Sequence, residues 1–252
     1  MSNIKNEQEI KNMRKGGKIL SDVLKEVMGH IKEGVSELEL DRLAESLIKQ
    51  KGGDSGFKKV PGYNHTICAA TNDVVVHGIP SEYRYKKGDI ACIDCGVFLG
   101  GLHTDMAETV LVPGSDDDDE KTHFLNTGKK ALSEAIRVAK AGRRVGHISK
   151  TIQEIIEKEG FSVVKNLVGH GVGKELHEAP EVPGYLVDSL EKTPLLQVGM
   201  TLAIEVIYTM GGPDVVYAND DGWTIKSKDG SLSAVFERTV LITKDGCEIL
   251  TQ

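Results

Sequence analysis

The chain has 252 residues, which is enough for one large domain or two small ones with a sizeable hydrophobic core. Its formal net charge of −7 argues against nucleic acid as the main partner, because no basic stripe rises above the acidic background. The charged N-terminus lacks the apolar stretch of a signal peptide, and no run approaches the roughly 18 apolar residues of a membrane span. The four cysteines suit a reducing compartment. These features predict a cytoplasmic protein with no membrane partner.

Two helices are predicted at the start of the chain. Apolar residues recur at helical spacing over residues 7–31, with Gly16 and Gly17 as weak points. Ser36 and Glu39 have the capping-box spacing that starts a second helix, which we expect to end at Gly52. Short strand-like runs at 66–70 and 74–77 follow in a stretch punctuated by Gly and Pro.

Residues 90–110 are typical of an antiparallel β-hairpin, since two short apolar runs flank glycines that predict a loose or bulged turn. Each strand carries a carboxylate, Asp94 or Asp105, among residues that belong in a core. An unpaired carboxylate there costs several kcal/mol, so a partner cation is required. Hard oxygen ligands on facing strands favour a divalent metal ion.

Cys92 and Cys95 form a C-x-x-C pair, a spacing that also occurs in redox and zinc sites. Residues three apart on a strand point to opposite faces, so these thiols are poorly placed to share a metal. Two core cysteines are the preferred interpretation, and a redox or zinc site is the alternative.

The second half of the chain repeats the order of the first at low identity. The tripeptide at 20–22 recurs at 132–134, and Asp94 recurs at nearly the same spacing as Glu205. The returning strands also match, which aligns Glu237 with Ala107, two places from Asp105 and therefore on the same face. Each half thus carries two inward carboxylates. Pairing of the halves would bring all four carboxylates around one central site.

We expect one catalytic domain spanning residues 1–252, with repeat halves at about 8–112 and 122–250. The acidic segment 113–121 joins them. A calcium site is an alternative for this segment, but consecutive aspartates point in all directions and repel each other, so a solvated linker is preferred.

A glycine-rich segment around His170, followed by His177, adds imidazoles to the carboxylates, and His77 ends an apolar strand before a Gly/Pro turn. Glycines on both sides of His170 let the backbone bend and leave the ring unshielded. Four carboxylates and one neutral imidazole supply enough ligands for two metal ions with a water or hydroxide between them.

These residues resemble type I methionine aminopeptidase of the short bacterial form. The resemblance extends from about residue 8 to residue 250, and its ordered motifs are HGIP with His77, Asp94, HTD with Asp105, GHGVG with His170, His177, Glu205 and FERT with Glu237. The family likeness implies an α/β (α+β) pita-bread fold, in which two pseudo-symmetric halves surround a curved antiparallel sheet with helices outside.

The resemblance also implies a hydrolase of N-terminal protein processing that removes methionine before a small second residue, through a hydroxide bridging two divalent metal ions (Co, Mn, Fe or Zn). It makes Asp94 a ligand of one metal, His170 and Glu205 ligands of the other, and Asp105 and Glu237 bridging ligands. The substrates would be the N-termini of nascent polypeptides or peptides. Transient ribosome contact and a monomeric state are further expectations.

Roles in catalysis and substrate binding follow from the same resemblance. Glu205 is expected to be the general base, His177 to stabilise the developing oxyanion, and His77 to contact the nitrogen side of the scissile bond. Tyr63, Cys68 and Trp223 are expected to line the side-chain pocket, because a soft, partly aromatic slot suits a thioether. Alternatively, Trp223 only plugs a hairpin loop.

The chain departs from the family pattern at Val206, which replaces a common Pro, at Leu176, which replaces a common Phe, and at Val60, where an aromatic residue is expected. These differences concern pocket shape rather than ligands. An Xaa-Pro aminopeptidase or prolidase is the alternative within the same fold, and a catalytically inactive peptide-binding module is the alternative outside enzymes.

Overall fold

The computed structural model describes residues 4–114 and 118–252 of the chain. Its α-helices are α1 (Glu7–Gly29), α2 (Glu37–Gln50), α3 (Asp118–Val138) and α4 (Val145–Lys158). Its strands are β1 (Asp54–Ser55), β2 (Ile67–Thr71), β3 (Val74–Val76), β4 (Ile90–Leu99), β5 (Leu102–Leu111), β6 (Ser162–Val163), β7 (Val168–Gly171), β8 (Glu178–Pro183), β9 (Thr201–Thr209), β10 (Val215–Tyr217), β11 (Ile225–Ser227), β12 (Ser233–Ile242) and β13 (Cys247–Ile249).

The predicted capping box at the start of α2 is confirmed. Ser36 Oγ accepts from the Glu39 backbone N–H, and the Glu39 carboxylate accepts from the Ser36 N–H. Helix α1 runs without a break through Gly16 and Gly17, which the sequence marks as weak points. Gly17 instead allows a close approach, since a Cβ there would collide with the backbone of Leu250.

Strand β4 is the centre of a four-stranded antiparallel sheet. It pairs with β5 along one edge and with β1 and β2 along the other. The predicted hairpin is confirmed, but its turn is tight rather than loose. Leu99 pairs with Leu102, and the two residues between them, Gly100 and Gly101, have φ of +60° and +83°. Positive φ at both central positions is the geometry that suits the twist of a two-residue hairpin.

The second half repeats this pairing pattern. Strand β9 is flanked by β12 on one edge and by β6 and β7 on the other, in a six-stranded sheet completed by β8 and β13. A small sheet of β3, β10 and β11 lies beside the two larger ones. The single curved sheet that is expected is therefore divided into separately hydrogen-bonded sheets. The two larger sheets meet where β5 lies beside β12.

The helices cover the outer faces of the two main sheets. On β4, Ile93 belongs to the core cluster packed under α1 and α2. On β9, Ile204 belongs to the cluster packed under α3 and α4. Because side chains alternate along a strand, the neighbouring Asp94 and Glu205 point to the opposite face, between the halves. The core packing of each half thus decides which residues face the centre.

The same alternation separates Cys92 from Cys95. Both thiols are free and buried, but they belong to different core clusters. The preferred interpretation as two core cysteines agrees with this placement.

Helix α3 begins at Asp118, so the last residues of the predicted linker 113–121 are helical, while 115–117 lie outside the described residues. Across the described ranges, no helix combines the length and apolar character needed to cross a membrane.

Candidate metal centre

The two sheets present four carboxylates from paired strands to one central space. On the first hairpin, Asp94 lies opposite Ala107 and Asp105 lies opposite Gly96, so both acids are on the same face. On the second, Glu205 lies directly opposite Glu237. Asp105 and Glu237 are only 4% and 2% exposed. The acids predicted to converge from the two halves do so.

His170 joins the carboxylates from β7, where it lies opposite Ala203 of β9. Its Nε2 is 3.9 Å from Asp105 Oδ2 and 3.9 Å from Glu237 Oε1. One potential ligand atom from each of these three residues lies within 4.8 Å of the others. The His170 Nδ1 is 2.9 Å from the Gly171 carbonyl oxygen, to which it donates as N–H, leaving the Nε2 lone pair directed at the acids.

The glycines beside His170 are required by packing. A Cβ at Gly169 would stand 2.6 Å from the carbonyl oxygen of Ala203, and one at Gly171 would stand 2.5 Å from that of Ala179. Any side chain at these positions would push β7 away from its neighbours. Close strand packing, rather than backbone bending alone, explains the GHGVG pattern.

Burial makes ionisation of this cluster costly when no cation is bound. Loss of hydration raises the pKa of Asp105 to about 7, and burial together with the Asp105 charge raises the pKa of Glu205 to about 8. Burial and the neighbouring carboxylates also raise the pKa of Asp94 and of Glu237. Burial lowers the pKa of His170 to about 4, so its imidazole is neutral near pH 7, as a metal ligand must be.

A divalent cation fits this donor set. The buried Asp94 Oδ1 has no hydrogen-bond partner. In the part of the chain that the structure describes, no lysine or arginine forms an ion pair with Asp94, Asp105, Glu205 or Glu237. Such a group of acids with one imidazole and no basic counter-charge is what a divalent metal ion stabilises.

The raised pKa values predict the pH dependence of the metal-free protein. A carboxyl whose pKa is higher in the folded than in the unfolded state stabilises the fold at low pH, and this contribution is lost as pH rises through the folded value. For Asp105 and Glu205 the loss begins above the ordinary carboxyl pKa and is complete once the pH has passed about 7 and about 8, respectively. We expect the chelator-treated protein to melt at least about 4 °C lower at about pH 8.5 than at about pH 6, by calorimetry. Saturating Mn²⁺ should abolish the decrease, and an unchanged decrease would contradict a metal site here.

A cavity of about 530 Å³ opens over the carboxylates. All the residues that the sequence singles out line it: Asp94, Asp105, His170, Glu205, Glu237, His77, His177, Tyr63, Cys68 and Trp223. His177 is exposed at its mouth, with its ring centroid 4.4 Å from that of His170. His77 has φ of +56°, an uncommon conformation for a residue with a side chain, which holds its ring over the cavity. Burial lowers the pKa of both His77 and His177.

The other end of the cavity is apolar. Tyr63 and Cys68 are 5% and 6% exposed, and the Tyr63 ring meets the Trp223 ring edge-on with centroids 5.1 Å apart. Phe57 and Leu176 complete this cluster. Trp223 therefore lines the cavity, which favours the pocket interpretation over that of a loop plug. Val60 also lines it, at the place where an aromatic residue is expected.

Sequence reasoning missed other residues of the cavity wall. Phe57, Asn166, Leu167 and Glu181 line the cavity without any motif that marks them. Glu178, beside His177, pairs with Lys5 at 2.8 Å, and both side chains are almost fully buried. No local pattern reveals an ion pair between residues so far apart in the chain.

The fold and the buried donor set together define a metal-dependent hydrolase of the pita-bread class. The comparisons agree: residues 11–244 match the model of metallopeptidase family M24, and the chain belongs to this family. Membership implies the use of a divalent metal ion, in agreement with the donor set.

Curated relatives that match nearly the whole chain are named methionine aminopeptidase. A curated protein of Clostridium perfringens named methionine aminopeptidase is 42% identical over 98% of both chains. The crystal structure of methionine aminopeptidase from Thermotoga maritima matches with a TM-score of 0.95 and 39% identity over 100% of both chains. Prolidase from Pyrococcus horikoshii matches more distantly, with a TM-score of 0.76 and 25% identity over 99% of this chain and 63% of that one. The predicted family resemblance and pita-bread fold are confirmed.

Proposed function

We propose that this protein is a metallo-aminopeptidase that removes methionine from the N-termini of peptides and nascent proteins with a small second residue. The observation that carries the proposal is a single cavity that joins four acids and one imidazole to an apolar slot, with potential ligand atoms of Asp105, His170 and Glu237 within 4.8 Å of one another. The curated relatives carry the name methionine aminopeptidase over nearly the whole of this chain.

Two divalent ions, of Co, Mn, Fe or Zn, are proposed as cofactors. Asp94 would hold one, His170 and Glu205 the other, and Asp105 with Glu237 would serve both. When bound, the ions would supply Lewis-acid activation of water at neutral pH. The orphaned Asp94 Oδ1 and the position of His170 Nε2, 3.9 Å from both Asp105 and Glu237, support these assignments.

The chain's own residues would then manage protons and charge. Glu205, which lines the cavity and lies opposite Glu237, would accept the proton of the attacking water and pass it toward the leaving amine. His177 at the mouth would donate a hydrogen bond to the carbonyl oxygen of the scissile peptide, and His77 would contact its nitrogen side. The apolar walls exclude bulk water from the reacting groups.

Tyr63, Cys68 and Trp223 are proposed to hold the methionine side chain. An unbranched thioether fits a slot with aromatic edges, to which its sulfur is attracted. The free amine of the substrate would lie near the acids, which limits cleavage to the first residue. We further propose that residues 1–252 form one catalytic domain of two pseudo-symmetric halves, and that it acts as a cytoplasmic monomer with transient ribosome contact.

The decisive experiment is an assay of the purified chain loaded with Mn²⁺ or Co²⁺ on Met-Ala-Ser, Met-Lys-Ser and Ala-Pro peptides. We expect methionine to be released fastest from Met-Ala-Ser, and no release after chelation. Preference for Ala-Pro would instead support a prolidase-like peptidase. Cleavage of none of the peptides with any divalent metal would support an inactive binding module.

Trp223→Leu is expected to lower kcat/KM for Met-Ala-Ser by about tenfold, since an aromatic contact of this kind contributes about 0.5–1.5 kcal/mol beyond its buried area. The assay compares initial rates over a range of peptide concentrations. Tyr217→Leu is the matched control, because Tyr217 is an aromatic residue of the neighbouring strand β10 that is 67% exposed. Equal effects of the two substitutions would exclude Trp223 from the pocket.

A further inference from the structure

Threonine hydroxyls join the two halves where β5 lies beside β12. These two strands share no backbone ladder. Thr239 Oγ1 accepts from the Asp105 N–H at 2.8 Å and donates to the Asp105 carbonyl oxygen at 2.8 Å. Thr109 Oγ1 accepts from the Val235 N–H at 3.1 Å and donates to the Val235 carbonyl oxygen at 2.6 Å. Each hydroxyl thus uses both its donor and an acceptor lone pair to bridge one residue of the other strand.

The two bridges are images of each other under the internal repeat. In the alignment that matches β5 to β12, Thr109 corresponds to Thr239 and Asp105 corresponds to Val235. Both threonines are 0% exposed. Each half therefore supplies one buried hydroxyl that holds the carboxylate-bearing strand of the other half.

The two bridges fix the backbone at, or on either side of, the candidate ligands Asp105 and Glu237. One of them fixes the backbone of Asp105 itself through both its N–H and its carbonyl oxygen. Glu237 lies on β12 between the two anchored positions, Val235 and Thr239. Ionised Asp105 and Glu237 repel each other in a buried environment, so the strands that carry them need a fixed separation.

We propose that Thr109 and Thr239 are positioning residues that set the spacing of the carboxylates across the two halves and thereby the affinity for divalent metal ions. This inference rests on the proposed metal site. Valine is nearly isosteric with threonine but has no hydroxyl, so it would leave the buried N–H and carbonyl of the bridged residue unpaired. The strands would then shift to satisfy these groups, and the ligands would move with them.

The test is calorimetric titration of the metal-free full chain with Mn²⁺ alone. We expect Thr239→Val and Thr109→Val each to weaken Mn²⁺ binding by about 10- to 100-fold, the range typical for residues that orient metal ligands. Thr239→Ser and Thr109→Ser retain the hydroxyl and should bind Mn²⁺ within about threefold of the parent chain.

Thr201→Val is the matched control. Thr201 is also a buried strand threonine, but its hydroxyl donates to the Val172 carbonyl within the second half. Thr201→Val should lower the melting temperature, as Thr109→Val and Thr239→Val do, but it should leave the Mn²⁺ affinity unchanged. If the hydroxyls of Thr109 and Thr239 were merely structural, all three valine variants would be alike in thermal stability and in Mn²⁺ affinity.

Folded valine variants that bind Mn²⁺ like the parent chain would overturn the inference, as would equal weakening by Thr201→Val. If Thr239→Val does not fold, Thr109→Val decides the question. In the parent chain the Thr109 hydroxyl bridges Val235, which is not a candidate ligand. Failure of the parent chain to bind Mn²⁺ would overturn the proposed function as well. This outcome differs from equal binding by the parent chain and the variants, which would overturn only the role of the threonines.

Discussion

Asp105→Asn is expected to abolish peptidase activity, with a loss of more than about 1000-fold in kcat/KM and weaker metal binding. Asp105 lies close to other candidate ligands. Its Oδ2 is 3.9 Å from His170 Nε2, one of its oxygens lies within 4.8 Å of a Glu237 oxygen, and its charge helps to raise the pKa of Asp94. A residue that serves both ions has no substitute, because an amide keeps the shape but loses the charge that offsets the cations.

The measurement combines peptide hydrolysis with metal content of the dialysed protein. Glu108→Gln is the matched control, since Glu108 lies on the same strand but forms a salt bridge with Arg238 at 2.6 Å instead of facing the cluster. It should retain metal and most activity. Turnover by Asp105→Asn at the level of the Glu108 control would contradict the proposed binuclear site.

His177→Ala is expected to slow catalysis by about two to three orders of magnitude while metal content stays unchanged, as for the loss of an oxyanion donor. His177 lines the cavity at its mouth and has its ring against that of His170, yet it is not part of the ligand group formed by Asp105, His170 and Glu237. His177 is partly exposed, but the loss of hydration on its cavity side lowers its pKa, so the ring is neutral at pH 7 and can donate through one nitrogen only.

Single-turnover kinetics and metal analysis separate these effects. His177→Gln retains an N–H donor and should recover part of the lost rate. If His177→Ala loses metal together with activity, His177 is a ligand and the division of roles must be redrawn.

The elements that could be predicted are those encoded by local patterns. The capping box of Ser36 follows from residues three apart, and the inward direction of Asp94 and Glu205 follows from the alternation of a strand whose other face is apolar. The repeat then brings the two acid pairs to the same place. The sequence could thus indicate that four acids converge, without knowledge of the packing.

What could not be predicted depends on contacts between distant parts of the chain. The burial of Lys5 against Glu178 and the hydroxyl bridge from Thr239 to Asp105 join residues with no shared local pattern. The glycines at 100 and 101 predict a loose or bulged turn, whereas the structure has a tight one. Glycine is compatible with both kinds of turn, and only the pairing register selects one. Cavity walls such as Phe57 carry no chemical signature at all.

The near-symmetry of the halves breaks where β5 lies beside β12. The two hydroxyl bridges place Ala107 of β5 beside Glu237 of β12, midway between the bridges. The approximate two-fold axis that relates the halves therefore passes between a methyl group and a carboxylate. Two identical copies would place a glutamate on both sides of that axis, adding anionic charge that the same cations would have to neutralise. A small residue on one side and an acid on the other relieves this crowding, so the site gains from a single chain in which the two aligned positions carry different residues.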